Sequence, residues 1–162
     1  MIPAATADLC DEFAPEVAVA EPLFADWGGS VAFAGRVETV RVFEDNALVR
    51  QVLETPGQGR VLVVDGGGSL RSALVGGNLA ALAHRNGWTG LVVHGCIRDT
   101  EEIRAVPIGV KALRAIPRKS AKTGAGERSV AVTFAGLTFR AGAYLYADRD
   151  GIIVAERDLL PR

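Results

Sequence analysis

The chain has 162 residues, of which 49% are hydrophobic and 23% charged, a composition that excludes wholesale disorder and indicates a single domain over residues 1–162. Eighteen Lys and Arg residues against 19 Asp and Glu give a net charge of −1, which argues against direct nucleic-acid binding through a broad basic face. The longest uncharged stretches, residues 72–84 and 86–97, have 13 and 12 residues and are too short to span a membrane.

The N-terminal quarter predicts one helix and two strands. It begins with neither the basic start nor the apolar segment of a secretory signal, and two cysteines, Cys10 and Cys96, cannot form a disulfide framework. We therefore expect a cytoplasmic protein with reduced thiols. Thr6 is predicted to cap a helix over residues 7–13, and strands are predicted over 30–34 and 38–43.

The middle of the chain alternates strands with short helices. Asp45 or Asn46 is predicted to cap a helix that ends at Leu53, and the apolar run at 61–64 is typical of a strand buried on both faces. Residues 69–75 fit strand or helix, and we favour strand because a helix continuing through Gly76 and Gly77 would lose about 1 kcal/mol per glycine. A helix beginning at those glycines would run over 77–85.

The rest of the chain predicts a further parallel unit and then antiparallel strands. A buried strand covers 90–94, a helical turn covers 100–104, and a strand covers 110–116. A basic, glycine-bearing loop follows at 117–127. Short β segments separated by turns are predicted at 130–134, 137–139, 144–145 and 152–155.

The sharpest candidate site lies where two predicted strands end. The segment 65–68, Asp-Gly-Gly-Gly, leads to Gly76 and Gly77, and Arg98 and Asp99 follow the next strand. Ligands of open α/β sheets bind outside the carboxyl ends of the strands. The free amides at the start of a helix can bind a carboxylate, and Arg98 can form a bidentate hydrogen bond with the same anion. Asp99 offers the oxygen ligand that Mg²⁺ or Mn²⁺ prefers.

Simpler interpretations remain open for each of these features. An Arg-Asp pair is often a solvated loop or a local salt bridge, and three glycines can be a tight turn. The basic loop can bind an anion or a partner through Arg118, Lys119 and Lys122, but a solvated connector with turn glycines explains its composition better. His94 is more often a structural residue than a catalytic base at the end of a buried strand.

A resemblance to a known family covers almost the whole chain. The sequence VLVVDGGGSLRSALVGGNLAALAHRNGWTGLVVHGCIRD, followed by GVKALRAIPRKSAKTGAGE and LYADRDGIIV, resembles the family of the regulator of ribonuclease activity A, RraA. That family includes class II 4-hydroxy-4-methyl-2-oxoglutarate aldolases with oxaloacetate decarboxylase activity. The resemblance implies an α/β fold, a swivelling β/β/α-type single domain with a mixed sheet, assembled as a homotrimer or as a hexamer of two trimers.

The resemblance also implies roles for particular residues. In the aldolases, the backbone matching Gly76, Gly77, Asn78 and Leu79 and the arginine matching Arg98 hold the 2-keto acid substrate. The aspartate matching Asp99 binds the divalent metal, Mg²⁺ or Mn²⁺. Arg98 and Asp99 are therefore the expected catalytic residues of a metal-assisted retro-aldol cleavage that releases pyruvate.

One departure from the aldolase pattern supports a second hypothesis. The aldolases carry an acidic residue 21 positions before the arginine, where this chain has Gly77. Glu102, or a carboxylate of a neighbouring subunit, could compensate. The alternative function is a non-catalytic regulator that binds and inhibits an endoribonuclease of the RNase E type. A methyltransferase name has also been attached to such sequences, but a GxGxG nucleotide loop is absent here.

Overall fold

The structure, a computed structural model, describes residues 4–160 and contains one large mixed sheet with a separate two-stranded hairpin. Four short helices accompany the sheet, and none within residues 4–160 is long and apolar enough to cross a membrane. The helices are α1 Thr6–Phe13, α2 Ala47–Leu53, α3 Gly77–Arg85 and α4 Thr100–Ala105, with a 3₁₀ turn at Ala14–Glu16. The strands are β1 Ala18–Val19, β2 Ala25–Asp26, β3 Phe33–Arg41, β4 Val61–Asp65, β5 Ala73–Val75, β6 Gly90–Ile97, β7 Gly109–Ala115, β8 Glu127–Arg128, β9 Val132–Phe134, β10 Leu137–Phe139, β11 Tyr144–Asp148 and β12 Gly151–Ala155.

The centre of the sheet is parallel and its flank is antiparallel, as the sequence predicts. The strand order is β1-β12-β11-β3-β4-β6-β7-β2, and β3, β4, β6 and β7 run parallel to one another. Strands β11 and β12 form an antiparallel hairpin beside β3, while β5 pairs with β6 near the end of that strand. The carboxyl ends of the parallel strands therefore meet at one edge of the sheet.

Alternate residues of the central strands build two separate cores. Leu62, Val64, Leu91 and Val93 pack with the apolar faces of α2, α3 and α4, since their side chains point to the helical face. Val61, Val63 and Val92 point the other way and pack against the β9–β10 hairpin and the β11–β12 hairpin. Both faces of β4 and β6 are thus covered, which explains their continuous apolar sequence.

Several predicted boundaries are wrong for identifiable reasons. Thr6 does not cap α1 but is its first residue, and its N–H and hydroxyl donate to Asp148 at 2.9 and 2.7 Å. The two strands predicted over 30–34 and 38–43 are one strand, β3, which Gly35 does not interrupt because it packs closely against the Gly59 carbonyl. Strands β1 and β2, two residues each, were too short for a periodic pattern to reveal.

Candidate active site

Arg98 and Asp99 follow β6 directly and lie at the carboxyl edge of the parallel strands. Asp99 is the residue before α4 and has a left-handed backbone, with φ 61° and ψ 50°. This conformation is uncommon outside glycine and costs about 1–3 kcal/mol, although aspartate tolerates it better than most residues. It sharply turns the chain from β6 into α4, so both side chains can face the same space.

A cavity of about 400 Å³ opens at this turn. One wall comes from the β6–α4 junction and the first turn of α4, and the opposite wall comes from the end of β7 and the residues after it. The lining residues are Arg98, Asp99, Thr100, Glu101, Glu102, Ala115, Ile116 and Pro117. The guanidinium and the adjoining carboxylate therefore do share one cleft, as the sequence predicts.

The Arg98 guanidinium is only lightly held by the protein. Its Nη1 donates to the carbonyl oxygen of Pro117 at 3.4 Å, and no carboxylate within residues 4–160 forms an ion pair with it. Its backbone N–H donates to the Val75 carbonyl at 2.9 Å, which fixes the start of the turn. A fixed backbone with free guanidinium donors suits an arginine that receives an anionic ligand.

The N-terminus of α3 faces the same turn. The Gly77 N–H donates to Oδ2 of Asp99 at 2.9 Å, so this carboxylate ties the start of α3 to the start of α4. The amides of Asn78 and Leu79 have no acceptor among the described residues, whereas that of Ala80 already bonds the Gly76 carbonyl. Helix α3 thus presents two free N–H groups and the positive end of its dipole beside Asp99.

Glu102 occupies the space in which a side chain at Gly77 would begin. A Cβ built on Gly77 would collide with the Glu102 carboxylate oxygen Oε2, and would lie 2.9 Å from the Glu102 Cβ. A Cβ on Gly76 would likewise lie 2.7 Å from Oδ2 of Asp99. A side chain at either glycine would therefore have to displace a carboxylate, and the carboxylate of Glu102 lies beside Gly77, the position at which the aldolases carry an acidic residue.

The oxygen donors here suit a hard divalent cation. Mg²⁺ is usually held by one or two carboxylates and several waters, and Asp99 and Glu102 provide such a pair around the Gly76–Gly77 backbone. Within residues 4–160 the structure has no group of three or more Asp, Glu, His or Cys side chains arranged to hold a metal. A closed all-protein cage is therefore not formed by these residues, but a largely hydrated site fits them.

The other segment of the predicted site, Asp65 and the three glycines after it, contacts His94. Asp65 faces His94, with Oδ1 and Nδ1 3.5 Å apart, and accepts the Gly67 N–H at 2.9 Å. Burial raises the pKa of Asp65, but these hydrogen bonds outweigh it and hold the pKa below its usual range. His94 also stacks on Phe134, with ring centroids 4.6 Å apart. The simpler interpretation is correct here: the three glycines form a turn that His94 and Asp65 support.

The basic loop is an exposed segment fixed to the body at defined points. The Arg118 carbonyl accepts the Ala73 N–H at 2.8 Å, and Ala121 exchanges backbone hydrogen bonds with Glu44 and Asn46. Further along the loop, the N–H and the hydroxyl of Thr123 both donate to the buried carboxylate of Asp45, the N–H at 2.7 Å. The segment therefore follows a defined path along the site's edge rather than moving as a free connector.

A second and larger cavity lies at the amino end of the parallel strands. Its volume is about 710 Å³, and its lining includes Tyr144, Tyr146, Trp88 and Asp158. None of its lining residues is Lys or Arg, so it offers a carboxylate ligand no permanently charged cation. The smaller cavity at Arg98 and Asp99 is chemically the better candidate for an anionic substrate.

Comparisons with known proteins agree on one family. The model of the RraA-like family, described as aldolase/RraA, matches residues 6–154. A protein of Alkalilimnicola ehrlichii named "Putative 4-hydroxy-4-methyl-2-oxoglutarate aldolase" is 59% identical over 155 residues, covering 96% of each chain. A protein of Laribacter hongkongensis with the same name is 58% identical, covering 96% of this chain and 98% of its own.

Solved structures with the same fold carry two other names. The RNA-processing inhibitor RraA from Thermus thermophilis is 53% identical with a TM-score of 0.95, covering 98% of this chain and 96% of its own. A protein from Geobacillus kaustophilus, described as an S-adenosylmethionine:2-dimethylmenaquinone methyltransferase, is 52% identical with the same TM-score and covers 98% of both chains.

Proposed function

Because this chain belongs to the RraA-like family, we propose that it is a divalent-metal-dependent lyase of the class II aldolase type. Its substrate is 4-hydroxy-4-methyl-2-oxoglutarate, which a retro-aldol reaction divides into two molecules of pyruvate. The same site decarboxylates oxaloacetate, since both reactions leave the electrons of the broken C–C bond on a pyruvate unit. The catalytic unit is the single domain of residues 1–162.

The observation that carries this proposal is the shared cleft of Arg98 and Asp99 beside the open start of α3. The Asn78 and Leu79 amides lack acceptors in the described part of the chain and can bind the C1 carboxylate of a 2-keto acid. Arg98 has free guanidinium donors for the neighbouring keto oxygen. Negative charge develops on that oxygen as the C–C bond breaks, and a positioned guanidinium stabilises it.

Asp99 and Glu102 are the residues that would hold the metal, Asp99 directly and Glu102 through water. When bound, Mg²⁺ or Mn²⁺ supplies a Lewis acid that polarises the keto group. Asp99 is preorganised for this role because the Gly77 amide fixes Oδ2, while Oδ1 accepts no hydrogen bond from residues 4–160. Glu102 takes over the position of the acidic residue that Gly77 replaces, since its carboxylate fills the space beside that glycine.

The assembly we propose is a homotrimer, or a hexamer of two trimers, in the cytoplasm. Phe43 and Leu70 are 57% and 53% exposed, and exposed apolar side chains of this kind can pack against a neighbouring subunit. Sedimentation of the purified protein measures the number of subunits directly, and a monomer at micromolar concentration would contradict this part of the proposal.

The test is pyruvate release from each substrate, with Mg²⁺ or Mn²⁺ added and with the metal chelated. We expect metal-dependent turnover that Asp99→Asn lowers by at least about 100-fold. The matched control is Asp11→Asn, an exposed aspartate on α1, which should leave turnover unchanged. Turnover that is absent from the wild-type protein, or that survives both chelation and Asp99→Asn, would refute the lyase function.

A second function is favoured by one comparison. The RraA structure that is 53% identical carries the name of an RNA-processing inhibitor, so this chain is also a candidate regulator of an RNase E-type endoribonuclease. Association of the purified protein with the host's endoribonuclease at micromolar concentration, with loss of its cleavage rate, would support that role. We do not extend the methyltransferase name to this chain. The glycines at 66–68 form a turn in which the Gly66 and Gly68 amides donate to the His94 carbonyl, so these amides are not free to bind a nucleotide cofactor.

A further inference from the structure

A cleavable substrate of the proposed reaction carries two carboxylates, and the site described so far accounts for one. The α3 amides and Arg98 bind the 2-keto end, while the second carboxylate must lie at the far end of the cleft. Apart from Arg98, the charged residues that line the cavity are all acidic: Asp99, Glu101 and Glu102. A dianion in these surroundings requires further positive charge, because like charges in close proximity are strongly unfavourable.

Two cationic residues follow the wall opposite Asp99 in the sequence. Ile116 and Pro117 line the cavity, and the next two residues are Arg118 and Lys119. Two virtual bonds of about 3.8 Å separate Lys119 from Pro117, so its Cα lies within about 7.6 Å of that wall residue. Arginine and lysine side chains are long enough to cover most of that distance.

The backbone that carries these cations is held in place. Ala73 donates to the Arg118 carbonyl at 2.8 Å and is paired with Lys119, which places the segment beside β5, the strand that leads into Gly76. Ser120, the next residue, is 5% exposed and anchors the chain further. The cations therefore start from a fixed point at the edge of the cleft.

Arg118 and Lys119 have no partner among the described residues. Both are exposed, and neither forms an ion pair or a side-chain hydrogen bond within residues 4–160. Some other exposed arginines are neutralised by a carboxylate, as in the pairs Arg41–Glu127, Arg71–Glu44 and Arg157–Glu16. The two unpaired cations beside an acidic cleft are thus available to a ligand.

We propose that Arg118 and Lys119 bind the second carboxylate of the substrate and so make the site selective for 2-oxo dicarboxylates over 2-oxo monocarboxylates. This inference rests on the proposed lyase function and concerns the same cleft. Since the second carboxylate is remote from the keto oxygen, the contact stabilises the bound substrate and the transition state to a similar degree. It therefore affects KM more than kcat.

The test compares the wild-type protein with the double variant Arg118→Gln, Lys119→Gln. We expect KM for oxaloacetate to rise about 10-fold or more, as loss of a charge-assisted contact predicts, with kcat within about threefold. Competitive inhibition by pyruvate, which has no second carboxylate, should be unchanged. Arg149→Gln is the matched control, because this exposed arginine lies in the turn between β11 and β12, near the start of β3 and so at the opposite end of the parallel strands from the cleft, and its KM should equal that of the wild type.

Two outcomes would overturn the inference while leaving the lyase function intact: an unchanged KM in the double variant, or an equal weakening of pyruvate inhibition. A calorimetric titration of the wild-type protein with Mg²⁺ and either pyruvate or 2-oxoglutarate gives a second measurement that needs no variant. Tighter binding of the dicarboxylate supports the inference, and equal affinity contradicts it. If the wild-type protein neither turns over nor binds either acid, the proposed function fails and this inference fails with it.

Discussion

Two aspartates lie just before helices at the carboxyl edge of the sheet, and their carboxylates differ in burial and in hydrogen bonding. Asp45 precedes α2, is 4% exposed, and accepts hydrogen bonds from Thr123, Gly124 and Ala47. Asp99 precedes α4, is exposed and has a left-handed backbone, and its carboxylate accepts one hydrogen bond within residues 4–160, from the Gly77 N–H. The first carboxylate has its acceptor positions filled by the chain, and the second keeps most of them free.

This difference separates a structural acid from one that is available for chemistry. A buried carboxylate must be fully hydrogen-bonded because an unsatisfied charge is costly away from water. At Asp99 the chain instead accepts an unfavourable backbone conformation and leaves an oxygen uncommitted, a combination typical of functional sites. The two aspartates therefore make distinct predictions: loss of Asp45 should reduce stability, and loss of the acids near Asp99 should reduce turnover.

The largest effect on stability is expected from Asp45→Asn. The amide cannot accept the same set of charge-assisted hydrogen bonds from Thr123, Gly124 and Ala47, so the free energy of unfolding should fall by about 2–3 kcal/mol. Urea unfolding measures this change, and Asp11→Asn on exposed α1 is the control. If both variants lose the same small amount of stability, Asp45 does not anchor the basic segment.

The same variant predicts a change in pH dependence. Burial raises the pKa of Asp45, but the hydrogen bonds from Thr123, Ala47 and Gly124 outweigh it, so its pKa in the folded protein lies below the ordinary value. The resulting stability is present above about pH 4, the pKa of an unfolded aspartate, and is lost as the pH falls through the depressed value. The stability difference between wild type and Asp45→Asn should therefore shrink between pH 5 and pH 2 in urea titrations. A constant difference over that range would contradict this linkage.

Glu102→Gln should affect turnover while leaving the fold intact. In the proposed site its carboxylate stands in for the acid missing at Gly77, and loss of an outer ligand typically lowers metal affinity or activity 10–100-fold. We expect kcat/KM for oxaloacetate to fall in that range and the Mg²⁺ concentration for half-maximal activity to rise. Glu101→Gln removes the same charge from the same helix turn and should have a much smaller effect. Equal losses from the two variants would point to the net charge of the cleft rather than to Glu102.

The sequence predicted the parallel centre, the helix at Gly77–Arg85 and the meeting of Arg98 with Asp99, because buried strands and strand-end loops leave strong local patterns. It could not predict the contacts that depend on neighbouring elements. The packing of Glu102 against Gly77 arises from α3 lying beside α4, and the bond from Gly77 to Asp99 requires the left-handed turn. Similarly, no local pattern indicates that Asp45 binds Thr123, which is 78 positions away.

A third carboxylate lies between these extremes and gives the smallest predicted effect. Asp158 is half-buried, and its Oδ1 accepts the Tyr146 hydroxyl at 2.7 Å and the Leu160 N–H at 3.0 Å. Burial and this carboxylate raise the pKa of Tyr146 to about 12. The neutral phenol is thus favoured in the folded state, and the stability it provides is present below about pH 10 and is lost as the pH rises from about 10 to about 12.

Tyr146→Phe should therefore cost about 1–2 kcal/mol at neutral pH, because the hydroxyl donates one hydrogen bond to Asp158 and accepts another from the Leu159 N–H. Turnover should not change, because the site lies at the other end of the strands. Thermal unfolding at pH 7 and pH 11 measures both parts. The variant should lose less stability than the wild type between those values, since it has no phenol to ionise there. A parallel decline in the two proteins would mean that Asp158 holds this tyrosine too weakly to matter, and that carboxylates away from the cleft need not be fully committed to the fold.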